Sequence, residues 1–180
     1  MALDDKQRGV LRNMLIALAI TIVLLTAVII WPPVIFTPLT PLIDRFALTL
    51  GWDSLVLLCL VLSIGNLARH RFFTPADIDG GGLTSATERA RVYQAILQNT
   101  LEQTVIAVIA HLVWTAVTDP GWYAAVPVAA LMFVIGRILF AVGYAGGAPA
   151  RAFGFALTFY PTVFLTIVAI GTVVCRHLFG

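Results

Sequence analysis

Asn99 and Glu102 are two polar residues, three positions apart, inside a segment that is otherwise strongly apolar. Residues three apart project from the same face of a helix. Continued toward the N-terminus, the same helical phase adds Arg91, Gln94 and Gln98 to one polar stripe. An ionisable residue deep in a membrane costs about 2.5–3.5 kcal/mol on insertion scales, so it is normally paired or faces a polar cavity. We therefore predict that this stripe faces protein or a polar ligand, not lipid.

The composition is that of a membrane protein. The 180-residue chain is 60% hydrophobic and 11% charged, and its mean hydropathy is +0.97. A soluble domain of this length could not bury so much apolar surface. The net charge of +2 is too small to indicate a nucleic-acid-binding protein. The sequence therefore predicts an integral membrane protein whose first partner is the lipid bilayer.

Five apolar stretches are long enough to cross a hydrocarbon core of about 30 Å, which takes about 20 helical residues. They cover residues 10–30, 46–67, 93–117, 123–144 and 153–175. The first stretch follows basic residues, as the apolar part of a signal peptide does. Its apolar run is too long for a signal peptide, however, and Trp-Pro-Pro replaces the small residues of a cleavage site. We interpret it as an uncleaved first span in an all-α protein.

The basic residues predict the orientation of the chain, because cytoplasmic segments carry an excess of Lys and Arg. If the N-terminus is cytoplasmic, only Arg45 and Arg176 lie on the outside. The other nine of the eleven basic residues are then inside: Lys6, Arg8, Arg12, Arg69, Arg71, Arg89, Arg91, Arg137 and Arg151. We predict a cytoplasmic N-terminus and, since no organelle signal is visible, a location in a bacterial cytoplasmic membrane.

Several residues that could carry chemistry are better explained by structure. The glycine-rich segment 74–84 lacks the Lys-Ser/Thr sequence that follows a phosphate-binding loop, so it predicts turns. Cys59 and Cys175 have no metal-binding spacing and are expected to be buried apolar residues. His111 lies on the opposite face of its span from Glu102. No role is assigned to the three histidines.

The fourth span carries two pairs of residues with a spacing of seven, Gly136 with Gly143 and Arg137 with Tyr144. Seven residues make nearly two helical turns, so each pair shares a face. The glycines permit close contact between helices. Arg137 is either an interfacial residue that extends to the membrane surface or a buried partner of an acidic group such as Glu102.

Three sequence blocks resemble those of one known family. Residues 88–103, Glu-Arg-Ala-Arg-Val-Tyr-Gln-Ala-Ile-Leu-Gln-Asn-Thr-Leu-Glu-Gln, resemble the signature of the MAPEG family, the membrane-associated proteins in eicosanoid and glutathione metabolism. Ala-Arg-His-Arg-Phe at 68–72 is similar to the basic segment that closes the first helix of that family. Residues 137–144, followed by Arg151, resemble its third-helix motif and the arginine after it. The resemblance extends from about residue 46 to residue 175.

The resemblance implies a MAPEG-like four-helix membrane domain over residues 46–180. Residues 1–45 would then be an extra N-terminal transmembrane helix and a stiff connector that contains Pro32, Pro33, Pro38 and Pro41. The resemblance also implies a homotrimer that binds glutathione as a co-substrate in a cleft between neighbouring subunits, near the cytoplasmic side.

The positions that hold glutathione or support its site in the family correspond here to Arg69, Asn99, Glu102, Arg137 and Tyr144. Arg151 matches the arginine that lowers the thiol pKa in the leukotriene-forming members. Its sequence context suits that role, because Gly146 to Pro149 end one helix and place Pro149 in the first turn of the next. A guanidinium at a helix N-terminus favours an anion, and the thiolate is the reactive form of a thiol.

Three positions differ from the family pattern. Ala95 stands where the eicosanoid enzymes have an arginine one turn before the Asn, and Arg91 is the nearest substitute. Phe140 replaces a tyrosine, and Gln103 replaces an aromatic residue. These differences concern glutathione binding and leave the expected fold unchanged.

The sequence leaves four functions open. The first is a glutathione transferase or peroxidase that acts on lipophilic electrophiles or lipid hydroperoxides, with Phe140, Phe153 and Phe155 as apolar walls. The second is a non-catalytic protein on the same scaffold that binds a lipid or small amphipathic ligand. The third is a transporter or proton relay that uses Glu102. In the fourth, the polar residues of the spans form an internal network that fixes only the helix register.

Overall fold

Five long helices account for most of the chain. The computed structural model describes residues 3–33 and 41–179, and Pro38 of the predicted connector lies outside them. The helices are α1 Asp5–Ile30, α2 Leu42–Phe73, α3 Glu88–Val117, α4 Ala125–Gly143 and α5 Ala148–Phe179. Each is long and apolar enough to cross a membrane, α4 together with its flanking turns. The five predicted spans are confirmed, although α1, α2, α3 and α5 extend one to two turns beyond them.

Local sequence signals set the helix ends. Asp4 caps α1 by accepting a hydrogen bond of 2.7 Å from the backbone N–H of Gln7, whose side chain accepts one from the Asp4 backbone in return. Thr87 caps α3 by accepting from the backbone N–H of Ala90. The turn before α5 requires φ of +86° at Gly147, a conformation that glycine adopts without strain. The capping residues Asp4 and Thr87 therefore set where α1 and α3 begin, and Gly147 permits the tight turn before α5.

Helix α5 is central to the bundle, since it packs against α1, α3 and α4. The first span, α1, lies along α5 and buries Ala17, Thr21 and Leu25. The Nδ2 of Asn13 donates a hydrogen bond of 2.8 Å to the backbone oxygen of Pro149, which fixes the start of α1 beside the start of α5. Helix α2 packs on the other side of the bundle, against α3 and α4.

Helices α4 and α5 approach each other closely at glycines. A Cβ atom added to Gly136 would lie 2.9 Å from the backbone oxygen of Gly154, and one added to Gly143 would lie 2.5 Å from the backbone oxygen of Ala150. Both distances are too short for a side chain. The predicted close helix contact at Gly136 and Gly143 is therefore confirmed, and it brings α5 beside Arg137.

One end of the bundle collects the candidate residues. The start of α1, the segment 74–87 and the turn between α4 and α5 all lie at this end, which we call the polar end. The prediction that both cysteines are buried is wrong, because Cys59 is half-buried and Cys175 is exposed. The outward faces of apolar helices meet lipid tails, so a small apolar side chain gains nothing further from burial within the protein.

Candidate functional site

The polar stripe of α3 divides into an outward and an inward part. Arg91, Gln94, Gln98 and Glu102 are exposed on the outer face of the helix. The Nε2 of Gln98 donates a hydrogen bond of 2.9 Å to Glu102 Oε1. Asn99 lies at the edge of the buried face and turns inward. Four of the five predicted stripe residues therefore share one surface, and the fifth contacts the interior.

A cavity of about 740 Å³ lies beside this surface at the polar end. Arg91, Gln94, Ala95 and Gln98 of α3 form one wall, and Arg71 from the end of α2 reaches the same space. The Nη2 of Arg71 donates a hydrogen bond of 3.2 Å to Gln94 Oε1. Remaining parts of the lining come from the segment between α2 and α3, namely Gly81, Gly82, Thr84, Ser85 and Ala86. The cavity thus combines two guanidinium groups with neutral hydrogen-bonding side chains.

Asp77 holds in place the segment between α2 and α3 that lines this cavity. Its carboxylate accepts hydrogen bonds of 2.6 and 2.8 Å from the side chain and backbone N–H of Thr87, and it lies 3.0 Å from His70 Nε2. The hydrogen bonds from Thr87, followed by His70, lower the pKa of Asp77 below its ordinary value, while burial opposes the shift. His70, to which the sequence assigned no role, therefore helps to tie the end of α2 to the start of α3.

Arg137 is buried, with 4% of its surface exposed, and it hydrogen-bonds to two neutral groups. Its Nη1 donates to Asn99 Oδ1 at 2.8 Å and its Nη2 donates to Thr158 Oγ1 at 2.6 Å. The guanidinium also lies 4.5 Å from the ring centroid of Phe140. The interpretation of Arg137 as a buried residue is confirmed. Its pairing with Glu102 is wrong, because the Asn99 amide occupies the edge of α3 that faces α4.

Arg151 lies in the first turn of α5, at the polar end. Its guanidinium carbon lies 4.3 Å from the centroid of the Tyr144 ring, so the two side chains predicted for one site are in contact. Tyr144 in turn packs edge-on against Phe140, with ring centroids 5.4 Å apart. A chain of contacts therefore links Arg151, through Tyr144 and Phe140, to Arg137 and Asn99.

Arg69 is separated from the other predicted residues. It lines a smaller cavity of about 380 Å³, together with His70, Phe73, Thr74, Arg89 and Tyr93. Gln103 is buried on the inner face of α3 and lies outside the large cavity. The predicted residues therefore form three groups within one chain: the stripe with its cavity, the cluster from Asn99 to Arg151, and Arg69.

Two polar features of the structure were missed from the sequence. Arg71 lines the large cavity, and its place in the basic block at 68–72 was a usable signal. Asp53 and His111 form a buried pair at 2.6 Å near the end of the bundle opposite the polar end, next to a hydrogen bond of 2.8 Å between Thr49 and Thr115. The matched spacing of four on α2 and α3 could have indicated this contact. His111 does face away from Glu102, as predicted.

The sequence of the chain matches a known protein family. A family model described as the MAPEG family matches residues 46–171, which is more than half of the chain and leaves α1 outside the match. The search of curated proteins gave no match, and the search of solved structures gave none.

Proposed function

The chain belongs to the MAPEG family, and on this basis we propose that it is a membrane-bound, glutathione-dependent transferase or peroxidase that acts on lipophilic electrophiles or lipid hydroperoxides. The observation that carries the proposal is the cavity beside the polar stripe of α3. Its volume of about 740 Å³ falls within the range of about 300–1,000 Å³ that is usual for small-molecule sites.

The charges around this cavity suit glutathione, which has two carboxylates, one ammonium group and a thiol. Arg71 and Arg91 present guanidinium groups, whose paired donors match a carboxylate. Glu102 continues the same face of α3 and has a carboxylate to receive the ammonium group. Arg91 and Arg71 would thus compensate for the arginine that is replaced by Ala95.

A homotrimer would complete this site. Glu102 is exposed on one chain although it lies near the middle of a helix that spans the membrane. Exposure of a carboxylate to lipid is unfavourable by about 2.5–3.5 kcal/mol. A neighbouring subunit placed against the stripe would remove it from lipid and could bring its own Arg69 or Arg151 to the cavity. The trimeric assembly is therefore part of the proposal.

Arg151 would stabilise the thiolate of bound glutathione. Its guanidinium and the N-terminus of α5 both favour negative charge, and the Tyr144 ring holds the guanidinium in place. Arg137 and Asn99 would position the cluster, since the Arg137 side chain is engaged by Asn99 and Thr158.

Two reactions follow from a stabilised thiolate. With an electrophile, the sulfur forms a bond to carbon while the leaving group departs with its electron pair, or an activated double bond takes up a proton. With a hydroperoxide, the sulfur attacks the terminal oxygen and the O–O bond breaks. The thiolate of a second glutathione attacks the sulfur of the resulting sulfenic acid and the S–O bond breaks, so that the products are the disulfide, the lipid alcohol and water.

The test compares Arg151→Ala with Arg176→Ala, which removes an exposed arginine at the other end of the same helix. We expect Arg151→Ala to lower turnover of a chromogenic electrophile at least tenfold. It should also raise the pKa of the thiol of bound glutathione by about one unit or more, because the thiolate loses the charge of the guanidinium. One pKa unit corresponds to 1.36 kcal/mol. The thiolate absorbance measured against pH reports this pKa. Equal activity in the two variants, or no turnover in the wild type, would contradict the enzymatic proposal.

A second candidate function is non-catalytic binding of a lipid or small amphipathic ligand. Ala95 lines the cavity where the eicosanoid enzymes have an arginine, which favours this candidate. A thermal-shift titration separates the two, because a ligand that binds only the folded state raises the unfolding temperature. Stabilisation by lipid without stabilisation by glutathione would select the binding protein.

A further inference from the structure

The start of α1 lies against the start of α5, close to the arginine proposed to stabilise the thiolate. The Nδ2 of Asn13 donates a hydrogen bond of 2.8 Å to the backbone oxygen of Pro149, two residues before Arg151. Gly9 lies one helical turn before Asn13 and so shares its face of α1. A Cβ atom added to Gly9 would lie 3.2 Å from the Cβ of Pro149. Both residues of α1 therefore contact the same residue in the first turn of α5.

The turn before α5 is weakly fixed by its own residues. It contains Gly143, Gly146 and Gly147, and glycine restricts the backbone less than any other residue. Gly147 directly precedes α5 and has no side chain to cap it. The backbone hydrogen bonds from Gly147 to Tyr144 and from Arg151 to Gly147 are both 3.3 Å, beyond the usual range of about 2.7–3.2 Å. Contacts from neighbouring helices therefore help to decide where α5 begins.

Three consecutive residues at the start of α5 have neighbours on different elements. Pro149 accepts the hydrogen bond from α1, and the backbone of Ala150 packs against α4. The guanidinium of Arg151 lies 4.3 Å from the centroid of the Tyr144 ring. Residues of one helical turn move together, because backbone hydrogen bonds fix their dihedral angles. A displacement of Pro149 is therefore transmitted to Arg151.

We propose that α1 positions Arg151 for the thiolate of glutathione, with Asn13 as the positioning residue. This role rests on the proposed function, because it concerns the same site. The hydrogen bond from Asn13 fixes the first turn of α5, and that turn sets the distance between the guanidinium and the thiolate. The energy of two opposite charges depends on their separation. The family match begins at residue 46, so this contact comes from a helix outside the matched region.

Asn13→Leu tests the proposal, because it removes the hydrogen-bond donor and changes no charge near Arg151. Its matched control is Thr21→Val, which removes a buried hydroxyl of α1 that donates to the backbone oxygen of Ala17 in the same helix. We expect Asn13→Leu to raise the pKa of the thiol of bound glutathione by about 0.5 units, a roughly threefold change in its ionisation constant. Turnover should fall severalfold with little change in KM. Thr21→Val should leave the thiol pKa and turnover unchanged.

The same substitution in the Arg151→Ala background shows whether Asn13 acts through Arg151. Asn13→Leu should then leave the thiol pKa unchanged, because the group that Asn13 positions has been removed. A residue that only stabilises the fold would have the same effect in both backgrounds. An equal rise of the thiol pKa in both backgrounds, or no rise in the presence of Arg151, would overturn the proposal.

Hydrogen exchange measured without glutathione separates this proposal from the proposed function. Asn13→Leu should speed exchange of the amides of residues 144–151 relative to Thr21→Val. Gly9→Val, which places bulk against Pro149 and removes no hydrogen-bonding group, should do the same. If both variants exchange as Thr21→Val does, α1 does not hold this turn and the proposal is wrong. A wild type that does not bind glutathione would overturn the proposed function, whereas the exchange would still decide whether α1 holds the turn that carries Arg151.

Discussion

Asp77 shows how one residue can organise a covering segment at the polar end. Its carboxylate joins Thr87, which caps α3, to His70 near the end of α2. The loop between these residues contributes Gly81, Gly82 and Thr84 to the large cavity. The shape of the cavity therefore depends on a carboxylate that does not itself line it.

The lowered pKa of Asp77 predicts how the loop responds to acid. A depressed pKa in the folded state means that the carboxylate stabilises the fold at pH values above its unfolded pKa, and that this contribution is lost as the pH falls through the folded pKa. Protection of residues 76–86 against hydrogen exchange, corrected for intrinsic rates, should therefore still be present at pH 5 and should fall below about 3.8.

Substitution at neutral pH provides the matched comparison. Asp77→Asn should expose the same amides at pH 7, because the neutral amide accepts hydrogen bonds less strongly than the carboxylate. Asp79→Asn, at an exposed acidic position of the same loop, should leave their exchange unchanged. Equal exchange in the two variants would show that the Asp77 contacts do not hold the loop.

At the scale of the helices, the contact between α4 and α5 determines where Arg137 lies. Gly136 and Gly154 let the two backbones meet, and Thr158 of α5 thereby comes within 2.6 Å of the Arg137 guanidinium. In membranes, van der Waals packing and hydrogen bonds between helices replace much of the hydrophobic driving force. The hydrogen bond between Arg137 and Thr158 therefore depends on the close contact of α4 and α5 at the glycines.

Gly154→Ala tests this contact. The added methyl group would collide with the backbone of Phe140 and Gly136, so the helices must separate. Overpacking of this kind typically costs about 1–3 kcal/mol, and we expect a lower unfolding temperature in detergent. The control is Gly171→Ala on the same helix, where no atom lies within 4 Å of the added group. It should be neutral or stabilising by up to about 1 kcal/mol, since Ala favours a helix more than Gly. A similar loss in both variants would contradict the packing argument.

At the scale of the whole molecule, the α3 stripe interrupts the apolar outer surface of a helix that is long enough to cross a membrane. Gln98 and Glu102 share a hydrogen bond and remain exposed within a spanning helix. The surface of α5 beyond Ala169 has no such polar stripe. The polar stripe is therefore the surface on which the proposed trimer would form.

Native mass spectrometry of the detergent-extracted protein should detect an assembly of three 19.4 kDa chains. Gln98→Trp, which places a large side chain within the stripe, should shift the protein toward smaller species. Ile170→Trp, at an exposed apolar position of α5, should not. A monomeric wild type, or equal assembly of the two variants, would rule out the stripe as the contact between subunits.

The sequence alone determined the class of the protein, its five helices, the polar stripe and the family, because these depend on composition, helical periodicity and the spacing of motifs within single segments. The cytoplasmic location of the N-terminus remains a prediction. Only the tertiary structure decided which side chains meet across helices. It placed Asn99 and not Glu102 against Arg137, paired His111 with Asp53, and brought Arg71 to the cavity. Such contacts depend on how each helix is rotated about its axis and how deep it lies in the bundle. Packing between neighbouring helices sets both, and the periodicity of a single helix specifies neither.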